Sequence, residues 1–181
     1  MAELRNRDSV SARALEFTIL TAARTSEVIG ARWPEIDLDA GVWTIPAERM
    51  KGGKEHQVPL SKRAIEILEN LPRERGGYVF AGTKAKAPLS NMSMLELLRG
   101  MNGKGFTVHG FRSTFRDWAG DRTNFARDVI EHALAHQIKD KAEAAYRRSA
   151  ALEKRRQLMK AWAKYCSSPA QTSGQVVRLH G

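Results

Sequence analysis

One stretch of this chain has the composition of β-strands, and segments with helical spacing surround it. Residues 42–46 and 55–59 are rich in side chains that favour strands. A Gly-Gly pair lies between them, and such a pair is a common hairpin turn. The stretch therefore predicts a small antiparallel sheet whose turn carries Lys51 and Lys54.

Apolar side chains recur at helical spacing through most of the remaining sequence. The predicted helices cover residues 9–23, 25–32, 61–71, 90–101, 109–120, 126–136, 142–148 and 151–166. Thr25 is the expected N-cap of the second helix, and residues 78–80 are expected to form a short strand or a buried loop. The predicted fold class is mostly α with a small antiparallel β-sheet, in one domain over residues 1–166. Residues 167–181 have the polar composition of a loose C-terminal tail.

The charge balance narrows the classes of partner. The 181 residues include 30 Lys and Arg against 20 Asp and Glu, a net charge of +10. Such a surplus favours a polyanionic partner, nucleic acid first and an anionic membrane second. The sequence has no membrane-spanning apolar run and no secretory signal, so we expect an intracellular protein. Cys166 is the single cysteine, which excludes an intrachain disulfide and a cysteine-based zinc site.

His109 and Arg112 form the first candidate site. Positions three apart at a helix start share a face, so the imidazole and the guanidinium are predicted to point the same way. Arginine binds phosphate through paired hydrogen bonds, and histidine donates or relays a proton. Taken alone, the pair is better explained as a surface arginine and a capping histidine, because short motifs often match by chance.

Tyr146 is the second candidate, since cations surround it in the sequence. Residues 139–164 contain nine Lys and Arg against three acids. A phenol is a poor nucleophile while protonated, and nearby positive charge eases its deprotonation. The alternative is a half-buried core tyrosine on a basic helix.

Together these residues resemble the tyrosine recombinases, and most closely the phage and genomic-island integrases. The positions that carry the resemblance, in family order, are Arg24, Lys51, His109, Arg112, His136 (in Leu134-Ala135-His136) and Tyr146. The stretches 56–61, 144–149 and 154–159 are also similar to that subgroup. The likeness covers residues 12–166, so it implies the catalytic fold of the family.

The resemblance implies site-specific DNA cleavage and rejoining, with no metal or nucleotide cofactor. Tyr146 would attack the scissile phosphate, form a 3′-phosphotyrosyl link and release a 5′-hydroxyl. Lys51 would protonate the departing oxygen as general acid, with Lys54 as the less favoured alternative on the same turn. His109 would take or orient the proton of Tyr146.

The remaining three residues would bind the phosphate. By the same resemblance, Arg24 and Arg112 would clamp its non-bridging oxygens and supply the charge that the transition state demands. His136 would add a hydrogen bond to that phosphate. A rival zinc site at His132 and His136 has the right spacing on a helix, but a third ligand is not evident from the sequence.

The implied partner is double-stranded DNA carrying attachment sites. The family likeness implies a homo-tetramer on DNA, a monomer or weak oligomer when free, accessory DNA-bending or excisionase proteins, and no membrane. The expected location is the bacterial cytoplasm, at the nucleoid. Only 23 residues precede Arg24, so we expect an isolated catalytic domain without N-terminal DNA-binding domains. Residues 167–181 would be flexible or exchanged between protomers.

Two other functions fit parts of the pattern. A type IB topoisomerase shares the fold and the tyrosine chemistry, and would relax supercoiled DNA without site preference. A DNA-binding module that has lost catalysis would keep the basic surface. The complete set of six residues favours the integrase.

Overall fold

The computed structural model describes residues 1–73, 77–84, 86–101, 105–136 and 148–169. Its α-helices are α1 (Ala2–Arg5), α2 (Val10–Thr21), α3 (Thr25–Ile29), α4 (Lys62–Glu69), α5 (Ser93–Gly100), α6 (Gly110–Arg122), α7 (Arg127–Ala133) and α8 (Arg148–Ser167). Short 3-10 helices cover Trp33–Glu35 and Ala47–Arg49. In these ranges no helix has the length and apolar character needed to cross a membrane.

Helix α2 is the centre of the fold. Ser9 caps it, since the Ser9 hydroxyl accepts a hydrogen bond from the Ala12 amide at 3.1 Å. Every residue from 14 to 21 is buried, because α3, α4, α5 and α8 pack around the helix. Its last turn ends at Ala22, whose φ of +50° turns the chain out of the helix.

A buried carboxylate on α2 ties the first helices together. Glu16 is fully buried, and its oxygens accept hydrogen bonds from Arg5 on α1 at 2.8 Å and Arg63 on α4 at 2.9 Å. Burial alone would raise the pKa of Glu16, but the two guanidinium groups hold it below its ordinary value. Glu16 therefore stays charged in the core near neutral pH.

The predicted hairpin is confirmed. Strands β2 (Val42–Ile45) and β3 (His56–Pro59) pair antiparallel, and a third strand, β1 (Ile36–Asp37), adds to the outer edge of β2. Trp43 anchors the sheet, because its buried ring lies 5.5 Å from the ring of Phe17 on α2. The fold is mostly helical with a small antiparallel sheet, as the sequence predicts.

The structure corrects two local predictions. The helix predicted over 25–32 ends at Ile29, and its N-cap is Arg24 rather than Thr25. Of the two alternatives predicted for residues 78–80, the structure has the buried loop. Val79 and Phe80 are buried, and Tyr78 makes one antiparallel bridge with Arg32. Most of the helix predicted over 142–148, and the tail from residue 170 onward, lie outside the described residues.

Helix α8 packs across the core and reaches the sheet. Trp162 is buried and its indole N–H donates to the Ile19 carbonyl of α2 at 2.7 Å. Arg155 is also buried, although the sequence places it in a basic run, and its guanidinium donates to the Gln57 carbonyl of β3 at 2.5 Å. One face of α8 is therefore fixed against both α2 and β3.

Candidate functional site

Arg112 lies at the meeting point of three helix ends. It sits in the first turn of α6 and is only 6% exposed. Its guanidinium donates to the carbonyl of Ala22, where α2 ends, and to the carbonyl of Leu134, where α7 ends, at 2.7 Å for the latter. Carbonyls at helix C-termini carry partial negative charge and favour a cation. The packing of α2, α6 and α7 thus holds this guanidinium in place.

The charge of Arg112 is only partly compensated. Burial, and to a smaller extent the positive charge of Arg24, lowers the pKa of Arg112 to about 10, while Glu27 opposes this change. Arg112 remains protonated at neutral pH. In the described parts of the chain its hydrogen-bond partners are neutral carbonyls, and no carboxylate forms an ion pair with it. An anion placed here would relieve the repulsion between the two guanidinium groups.

A carboxylate fixes the position of Arg24. Arg24 is the N-cap of α3, and Glu27 follows three residues later. One oxygen of Glu27 accepts from the Arg24 amide at 2.8 Å, and the other accepts from its guanidinium at 2.6 Å. Glu27 is 3% exposed, so the contact is shielded from water. Glu27 therefore occupies one side of the Arg24 guanidinium. The positive charge of Arg24 lies close enough to Arg112 to lower the pKa of Arg112.

His136 lies just beyond the end of α7. Ala135 has a left-handed φ of +50°, and the His136 amide donates back to the Glu131 carbonyl at 3.0 Å. This geometry is that of a Schellman helix end. The turn brings the imidazole over its own helix, where Nδ1 lies 2.5 Å from a carboxylate oxygen of Glu131. Glu131 also accepts from Arg116 of α6 at 2.7 Å.

Four of the six predicted site residues lie close together in the fold: Arg112 itself, and three residues on the segments to which Arg112 is hydrogen-bonded. Arg24 follows the Ala22 carbonyl, His136 follows Leu134, and the His109 carbonyl accepts from the Arg112 amide at 3.0 Å. The side chain of His109 is exposed.

The other two predicted residues are not tied to this cluster. Lys51 is exposed in the turn between β2 and β3, and within the described chain it forms no hydrogen bond or ion pair. Lys54 is exposed on the same turn. Tyr146 lies outside the described residues.

Three residues of this region were not predicted from the sequence to belong to the site. Glu27 occupies the third position of α3, where an acid often reaches back to the N-cap, so a capping-box search would have found it. Glu131 was recognisable only as the residue before His132 in the rival zinc pattern.

In the ranges that the structure covers, no three metal-binding side chains form a cluster.

The third such residue is His56, buried on β3 beneath α7 and α8. It is 8% exposed, and burial lowers its pKa to about 3, assisted by the positive charges of Arg155 and His132. Burial likewise lowers the pKa of Arg155 to about 10. His56 is therefore neutral at physiological pH, and it fills the junction between the base of the hairpin and the end of α7.

Comparison with known sequences identifies relatives. The model of the phage integrase family matches residues 1–153. Prophage integrase IntA of Escherichia coli K12 is 40% identical over 177 residues, which are 95% of this chain and 42% of the relative. The integrase of Enterobacteria phage P4 is 34% identical over 171 residues, covering 84% of this chain and 39% of the relative. The chain thus spans about two fifths of the length of these relatives.

Solved structures give the same fold. The integrase from mycobacterium phage Brujita superposes with a TM-score of 0.65 at 19% identity, covering 88% of this chain and 54% of that chain. A lambda integrase tetramer bound to a Holliday junction gives a TM-score of 0.54 at 19% identity, covering 77% of this chain and 44% of that one. The chain belongs to the phage integrase family and has the fold of a tyrosine recombinase catalytic domain.

Proposed function

We propose that this chain is the catalytic domain of an integrase that cleaves and rejoins double-stranded DNA at attachment sites. The observation that carries the proposal is the buried guanidinium of Arg112, held by two helix-end carbonyls beside the charge of Arg24. Two cations close together, one of them buried without a carboxylate partner, favour the binding of an anion. A phosphodiester has the charge and the paired oxygens that two guanidinium groups accept.

The phosphate would be held by Arg24, Arg112 and His136. The two arginines would contact its non-bridging oxygens, whose negative charge grows as the pentavalent transition state forms. The free nitrogen of His136, Nε2, would donate a hydrogen bond to the same group. Because side chains supply this charge, the reaction would need neither a metal ion nor a nucleotide.

Tyr146 would carry out the covalent step. Its phenolic oxygen forms a bond to phosphorus, and the bond from phosphorus to the 5′-oxygen breaks. His109 would take or orient the phenolic proton, and Lys51 would give a proton to the leaving 5′-oxygen. The 3′-phosphotyrosyl link conserves the energy of the phosphodiester, so the 5′-hydroxyl of another strand can reverse the step.

The exposure of Lys51 and Lys54 on the β2–β3 turn suits a residue that meets DNA only when DNA binds. We favour Lys51 as the acid on the family likeness. The buried neutral His56 and the contact of Arg155 with Gln57 would give the turn a rigid base.

The assembly is proposed from the same likeness. A lambda integrase structure is described as a tetramer on a Holliday junction, and we propose a homo-tetramer on DNA for this chain, with a monomer or weak oligomer when free. Residues 1–166 would form the catalytic domain, and residues 167–181 a tail that is flexible or exchanged between protomers. Accessory DNA-bending or excisionase proteins, and a cytoplasmic location at the bacterial nucleoid, belong to the same proposal.

A covalent trap tests the function. The chain would be mixed at low salt, with EDTA present, with nicked duplexes that lose a short 5′-hydroxyl fragment on cleavage. We expect a protein–DNA adduct on denaturing gels, none with Tyr146→Phe, and an adduct with the control Tyr165→Phe, which changes a half-exposed ring on α8. DNA binding without any adduct would instead indicate a catalytically silent module. Relaxation of plasmids without site preference would indicate a topoisomerase.

A further inference from the structure

The carboxylate of Glu131 contacts two side chains at the edge of the candidate site. One oxygen lies 2.5 Å from Nδ1 of His136, and the other accepts from Nε of Arg116 at 2.7 Å. Glu131 is 17% exposed, whereas its two partners are half-exposed. The hydrogen bonds to His136 and Arg116 outweigh burial and hold the pKa of Glu131 below its ordinary value. Glu131 is therefore a charged, doubly engaged acceptor near neutral pH.

Helix α6 holds the end of α7 from which the contact between Glu131 and His136 is made. Arg112 and Arg116 are four residues apart on α6, so both lie on the face that packs against α7. Arg112 holds the Leu134 carbonyl, and Arg116 holds Glu131 one turn earlier on α7. The end of α7 is thus fixed to α6 at two points, which sets the place from which His136 projects.

Resting on the proposed function, we propose that Glu131 is a positioning residue that acts through His136. A carboxylate accepts but never donates, so Nδ1 of His136 must carry the hydrogen of this contact. The ring is thereby fixed in one of its two flipped orientations, and Nε2 is left as the nitrogen that meets the phosphate. To donate to the phosphate, Nε2 must carry a hydrogen as well, so the ring acts in its doubly protonated form, which the negative charge of Glu131 stabilises. Similar carboxylate contacts orient histidines that bind metals, and their loss lowers activity about 10-fold to 100-fold.

The variant Glu131→Gln tests this reasoning because it keeps the shape and removes the second acceptor oxygen. Arg116 and His136 contact different carboxylate oxygens, so in the variant the amide NH2 group takes the place of one of these two acceptors. If the amide oxygen serves the charged guanidinium, the amide NH2 group faces Nδ1 of His136, which must then accept. We expect the hydrogen of the neutral ring to move from Nδ1 to Nε2.

The first measurement is made on the protein without DNA. Two-bond proton–nitrogen NMR spectra of the 15N-histidine-labelled chain distinguish the two forms of the neutral imidazole, and His136→Gln assigns the signal. We expect the Nδ1–H form in the wild type and the Nε2–H form in Glu131→Gln. The control Glu153→Gln, which removes an exposed carboxylate paired with Arg156 on α8, must leave the signal unchanged. The same form in wild type and Glu131→Gln would overturn the proposal.

The second measurement uses the rate of adduct formation on the nicked duplex. We expect Glu131→Gln to slow the reaction about 10-fold, because a neutral imidazole replaces the cationic donor to the phosphate. DNA binding should be unchanged or tighter, since a negative charge is removed. In a His136→Ala background the same change should have no further effect, because the two residues act as a unit. Rate losses that add up in the double variant would contradict the proposal. If the wild type forms no adduct, only the proposed function is refuted. The NMR measurement would still decide the role of Glu131.

Discussion

His56 makes the stability of this fold sensitive to acid. The imidazole is buried on β3, and burial lowers its pKa from 6.5 to about 3, with the charges of Arg155 and His132 acting in the same direction. Between these two values the unfolded chain binds a proton at His56 and the folded chain does not. The free energy of unfolding must therefore fall as the pH falls from 6.5 towards 3.

The size of this loss in the free energy of unfolding follows from the shift in the pKa of His56. Each pH unit inside this window costs about 1.4 kcal/mol, so a drop from pH 7 to pH 5 should remove about 2 kcal/mol through His56 alone. Glu16 and Glu131 have pKa values below 4.5, and the stability that depends on their charge is lost mainly below pH 4.5. The window from pH 7 to pH 5 therefore separates the protonation of histidines from that of the acids. Burial also lowers the pKa of His132, which adds to the loss of stability in the same window.

Urea unfolding followed by tryptophan fluorescence at pH 7 and pH 5 measures this loss. We expect the variant His56→Gln to lose about 2 kcal/mol less than the wild type over this range, whatever its stability at pH 7. The control His109→Gln changes an exposed imidazole and should retain the wild-type loss. An equal loss in wild type and His56→Gln would refute the claim that His56 is held neutral by burial.

Two further predictions concern the core and the hairpin. Glu16→Gln should lower the free energy of unfolding by about 3 kcal/mol in urea titrations at pH 7, because it removes a fully buried carboxylate from the partly buried guanidinium groups of Arg5 and Arg63. A loss below 1 kcal/mol would contradict this, and Glu3→Gln is the surface control. Lys51→Ala should slow adduct formation on ordinary DNA and regain the wild-type rate when sulfur replaces the scissile 5′-oxygen, since a thiolate leaves without protonation. Lys54→Ala should retain the wild-type rate on both substrates, and the opposite pattern would make Lys54 the acid.

Elements specified by local signals could be predicted from the sequence. Apolar spacing located α2 and α4, which the structure begins directly after the N-caps Ser9 and Ser61, and the Gly-Gly turn located the hairpin. Strand β1 has only two residues and depends on its pairing with β2, so it carries no pattern of its own. Arg155 reads as one more solvated cation in a basic run, and only the fold reveals that it reaches the β3 backbone.

The same distinction between local sequence signals and long-range contacts applies to the candidate site. The family likeness named Arg24, Arg112 and His136, but their proximity depends on contacts between distant parts of the chain. The guanidinium of Arg112 meets a carbonyl 90 residues earlier and another 22 residues later. Such contacts follow from how helices pack, which helical spacing alone does not determine. For the same reason, helical spacing does not predict that Glu131 contacts both His136 and Arg116.

Locating the residue that becomes linked to DNA tests the central claim most directly. The adduct formed by the wild-type chain on the nicked duplex would be digested with nuclease and protease and its peptides sequenced by mass spectrometry. The account predicts a nucleotide attached through phosphate to Tyr146. Attachment to any other residue, including the exposed Tyr165 of α8, would contradict it.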